Sequence, residues 1–74
     1  MYRVHNVTIR KEDQNKADDI LMKHWMMGDI DAIKSNEDRD SDGTIKVIYW
    51  ISPYICEDLE INTNEFIQAG IQVL

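Results

Sequence analysis

Fourteen acidic and eight basic side chains in 74 residues give a formal net charge of −6 at pH 7. A chain this short is expected to form one domain, residues 1–74, and burial alone rarely leaves it more than roughly 3–5 kcal/mol of net stability. Cys56 is the only cysteine, so an intrachain disulfide is excluded and a partner subunit or a metal is the remaining kind of support.

Tyr2, Val4, Asn6, Thr8 and Arg10 alternate with Arg3, His5, Val7 and Ile9, a strand pattern rich in β-branched residues. Ala17, Ile20, Leu21, His24 and Trp25 then fall on one helical face, with Asp13 or Asn15 placed to cap the start and Gly28 to supply a left-handed stop. On that spacing Trp25 belongs to the core. Ile30 and Ala32 alternate with Asp29 and Asp31, which predicts a short strand over 29–34, although Ile33 falls out of phase. Thr44 to Ile51 is a strand with apolar groups on both faces, which places it at the centre of a sheet. Ser52-Pro53 ends it, because proline cannot donate to a ladder.

A second helix of about two turns is predicted from Asn62 to Gly70, with Asn62 as cap, Glu65 three residues on and Ile61 stapled to Phe66. A competing helix from Pro53 would set Glu57, Asp58 and Glu60 at its negative end, which disfavours it. Ile71 to Leu74 closes the chain as a short strand. The order β-α-β-β-α-β is that of a ferredoxin-like α+β sandwich, a small antiparallel sheet with its helices on one face. A truncated β-α-β-β unit is the alternative.

The start, Met1 to His5, lacks a basic-then-apolar leader, and the longest apolar run is the five residues Val47 to Ile51. A cytoplasmic protein without a membrane span is therefore expected, and Asn6-Val7-Thr8 is read as a chance sequon. Residues 1–11 carry three bases and no acid, while residues 12–74 hold five bases and all fourteen acids. No basic residue follows Lys46. Direct nucleic acid binding needs a clustered basic surface and is not expected.

Asp38, Asp40, Asp42 and Gly43 resemble the first half of an EF-hand loop, with oxygen ligands at alternate positions before a glycine. The pattern then fails. Tyr49 stands where a bidentate glutamate should be, Lys46 adds a positive charge, and a strand follows in place of a helix. The loop is read as hydrated turn chemistry, with a calcium-binding module as the alternative. Cys56, His5 and His24 are the only material for a thiol–imidazole pair and form no local pattern, so neither catalysis, a zinc site nor a cofactor is expected. His24 lies on the apolar helix face, where a packed histidine is the plain reading.

Two groups remain as partner-binding candidates. Met22 and Met26 widen the apolar arc of the first helix, and methionine adapts well to interfaces. Glu57, Asp58, Glu60 and Glu65 form a one-signed acidic group suited to a basic surface. The expectation is a non-enzymatic protein-binding module, an inhibitor that covers a basic or nucleic-acid-binding surface of its partner. In size and charge the chain is similar to the small anti-restriction and anti-CRISPR proteins of bacteriophages, which would act in the host cytoplasm. A structural homo-oligomer subunit, such as a homodimer, is the further alternative.

Overall fold

The computed structural model describes residues 3–37, 43–55, 59, 61 and 64–74. Strand β1 (Arg3–Arg10) leads through a 3-10 turn (Lys11–Asp13) into helix α1 (Gln14–Met27). Strands β2 (Ile30–Glu37) and β3 (Thr44–Ile51) follow, then the short helix α2 (Glu65–Gln68). The sheet order is β1-β3-β2, with β3 antiparallel to both neighbours. Strands β1 and β2 therefore run parallel on either side of β3, and α1 is the crossover between them. The protein is α+β, with a three-stranded antiparallel sheet, one long helix and one short helix.

Val7, Ile9, Ile45, Val47, Tyr49 and Ile51 occupy alternate positions of β1 and β3, and all are buried. They form one cluster with Ala17 and Leu21 of α1, Phe66 of α2, and Ile30, Ile61 and Ile71. The other face of the sheet is open, with Val4, Asn6, Lys34, Asn36 and Lys46 exposed. Cross-strand rows there join Val4 to Trp50 to Ala32, and Asn6 to Ile48 to Lys34.

Several local expectations are corrected. Asp13 takes the cap position of α1 but makes no capping bond; its carboxylate turns instead to the Arg10 guanidinium, at 3.1 Å from both Nε and Nη2. Asn15 lies inside the helix. Strand β2 runs on to Glu37, beyond the short strand predicted over 29–34. Its pairing with β3 shifts between Ile30, opposite Ile51, and Ala32, opposite Trp50. This bulge at Asp31 is why Ile33 was out of phase: the extra residue lets Ile30 and Ile33 face the core together.

Helix α2 is a single turn starting at Glu65, with Asn64 before it and no side-chain cap; the predicted cap Asn62 lies outside the described residues. The predicted terminal strand reduces to one antiparallel bridge, Val73 to Ile9, and a bond from Leu74 N–H to Thr8 C=O of 2.8 Å.

Both helices stop in the same way. After α1, Gly28 adopts φ 85°, its N–H reaches Trp25 C=O at 3.1 Å, and Asp29 N–H reaches His24 C=O at 3.0 Å. After α2, Gly70 adopts φ 81°, with matching bonds from Gly70 to Ile67 and from Ile71 to Phe66. These are paired Schellman closures.

Candidate functional site

The closure of α1 builds a polar cluster. A Schellman turn brings the second residue after the helix beside the residue three positions inside its end. At α2 that pair is Phe66 and Ile71, both buried. At α1 it is His24 and Asp29, and His24 Nδ1 lies 3.0 Å from Asp29 Oδ2. His24 Nε2 makes a second hydrogen bond to Glu65 Oε2 at the start of α2, and Lys23 Nζ lies 3.6 Å from Glu65 Oε1. A doubly protonated imidazole donates to both carboxylates, whereas a neutral ring donates to one. The cluster joins α1, the turn before β2, and α2.

This geometry explains the histidine and redirects Glu65. His24 is packed, as its place on the apolar face predicts. Glu65, expected in an acidic docking group, is engaged by Lys23 and His24. Its intended companions Glu57, Asp58 and Glu60 lie outside the described residues, as do Asp38, Asp40 and Asp42 of the acidic loop and the thiol of Cys56. Gly43, at φ 75°, closes the loop side by accepting a bond from Lys11 N–H at 2.7 Å. His5 stacks on Tyr49 across the β1–β3 pair, with ring centroids 5.1 Å apart. Among the described residues no group of three histidine, cysteine or acidic side chains is arranged to hold a metal ion. No helix among them is long and apolar enough to cross a membrane.

The surface of α1 is the prominent site. Met22, Met26 and Met27 are 47%, 78% and 65% exposed, and Trp25 is 50% exposed. Trp25, a core residue on helical spacing, is instead half exposed. The core-facing line of α1 runs through Ala17, Leu21 and His24, and Trp25 stands at its flank, turned toward β2. There Met22, Trp25 and Ile33 line an open groove of about 190 Å³.

Asp18 stands one turn before Met22 on the same flank. Burial, reinforced by the neighbouring Asp19 charge, holds its carboxyl above the usual range. Sequence spacing singles out Met22 on this flank but not Asp18 or an exposed Trp25, because it counts Trp25 as core. The 18, 22, 25 periodicity was the available signal.

No protein-family model matches the chain, and no curated protein or solved structure matches it.

Proposed function

We propose that this chain is a small, acidic, non-enzymatic protein-binding module, an inhibitor that covers a basic or nucleic-acid-binding surface of a cytoplasmic partner. The observation that carries this reading is the exposure of four large apolar side chains, Met22, Trp25, Met26 and Met27, within the last six residues of α1. Exposed apolar groups gathered on one helix end, and not scattered singly, mark interaction sites. Tryptophan is the residue type most often responsible for binding energy at such sites. The net charge of −6 supports a basic partner by steering, and it argues against direct contact with nucleic acid. Site residues under this reading are Met22 and Met26, with Glu57, Asp58 and Glu60 supplying charge, while Glu65 is engaged by Lys23 and His24. The ferredoxin-like strand order belongs to the same reading: the bridge from Val73 to Ile9 lies where a fourth strand would join β1.

The test is capture from host lysate at low and high salt, comparing the native chain with Trp25→Ala and with a triple Glu57→Lys, Asp58→Lys, Glu60→Lys variant. Capture that weakens with salt and with either variant supports the reading. Capture of nothing, or of nucleic acid alone, sinks it.

A further inference from the structure

We propose that the edge of β2 left unpaired among the described residues and the flank of α1 bearing Asp18, Met22 and Trp25 take up an extended segment of the partner, in which a lysine or arginine stands two positions from an apolar residue. This rests on the protein-binding reading and goes beyond it by stating the partner's chemistry.

Strand β2 is the edge of the described sheet and is bonded on one side only, to β3. Such an edge accepts an added strand, whose backbone bonds give affinity and whose alternate side chains give specificity. The side chains of that strand on the core side would enter the groove lined by Met22, Trp25 and Ile33. Apolar groups are what the groove receives.

Beyond the groove's lining, one turn before Met22 on the same face of α1, stands an acid. Asp18 is partly buried and makes no ion pair or side-chain hydrogen bond among the described residues. Its carboxyl is held up by burial and by Asp19, so an arriving cation relieves a standing electrostatic cost. The spacing fits as well. Met22 and Asp18 are four residues apart, about 6 Å along a helix, and two residues of an extended strand span roughly 6.6 Å. The crossover α1 runs back along the strands it connects, so the two directions are comparable.

Other occupants fit less well. The open outer face of the sheet presents Lys34 and Lys46, which repel a basic partner. A second copy pairing β2 to β2 in one continuous sheet keeps each residue on its own face. Lys34 then stays on the outer face, and β2 brings no cation to Asp18.

A random ten-residue peptide library displayed on phage and selected on the intact chain is the probe. We expect enrichment of peptides carrying an apolar residue and, two positions away, lysine or arginine. A synthetic enriched peptide should slow amide exchange along Ala32–Glu37, the regular stretch of β2 after the Asp31 bulge. Asp18→Asn should weaken it about fivefold, in line with one partly screened charge pair. Met22→Glu should weaken it more than tenfold, and Lys46→Glu on the outer face should leave it unchanged. Circular dichroism checks each fold; Asp18→Asn, nearly isosteric, keeps the test decisive if Met22→Glu unfolds. The proposal is overturned by no enrichment, by enrichment of acidic peptides, by binding indifferent to Asp18, or by a stable dimer that Met22→Glu dissociates. Lysate capture that persists in Asp18→Asn and Met22→Glu removes this groove while leaving the binding-module reading standing.

Discussion

His24 shows how one backbone turn can determine a side chain's chemistry. Because Gly28 allows the left-handed closure, Asp29 returns beside His24, and Glu65 arrives from the other side on α2. Removing the imidazole leaves two carboxylates facing each other without a shared donor. His24→Ala should cost about 2 kcal/mol, and His24→Gln, which keeps one donor, about half of that. Urea denaturation of both variants checks the order; equal losses would mean that packing, and not donation, is what His24 supplies.

Asp18 makes the opposite case. Its folded carboxyl titrates above 3.8, so its protonated form favours folding, and that contribution is lost as pH rises through the folded value. Asp18→Asn should therefore raise stability slightly at neutral pH, by roughly 0.5 kcal/mol or less given its partial exposure. The gain should vanish below pH 3.8. A pH series of melting temperatures tests the sign.

At the scale of elements, strong periodicity was legible and terminal detail was not. β1, α1 and β3 follow from alternation or helical spacing, and central β3 follows from apolar groups on both its faces. The far end of β2 is not legible because Asn36 and Glu37 carry no apolar signal; they belong to the strand through their pairing with Lys46 and Ile45. α2 shrinks to one turn because its place is fixed by Phe66 and Ile71 packing, not by a cap. Phe66→Ala should thus remove about 3–5 kcal/mol, comparable to the whole net stability of a domain this size, and should abolish the cooperative melting transition. Gly28→Ala meets no atom within 4 Å, so its cost is backbone alone, about 1 kcal/mol. A larger loss would mean that the closure also constrains the His24 cluster.

For the whole molecule, charge and exposed apolar area work over different distances. In the proposed binding reading, the −6 charge would act during approach, screened within about 8 Å at physiological ionic strength, and the Met22–Met27 surface would act on contact. Salt should slow association with a basic partner far more than it speeds dissociation, whereas Trp25→Ala should do the reverse. Stopped-flow and surface kinetics on a captured partner separate the two. The net charge is legible from composition. The exposed surface of α1 is only partly so, because one helical position decides whether Trp25 faces inward or out.

The bulge at Asp31 also sets which sequence changes the fold can absorb. Excising Asp31 would leave Ile30 and Ile33 separated by Ala32 alone, the ordinary inward-outward-inward order of a regular strand, so both isoleucines would keep their places. Excising Lys34 would instead turn the rest of β2 over. A chain lacking Asp31 should fold, yet with a straighter, more pairable border, and should assemble into higher-order species on concentration. One supernumerary residue would thus be a guard against polymerisation, testable by light scattering of the two deletions side by side.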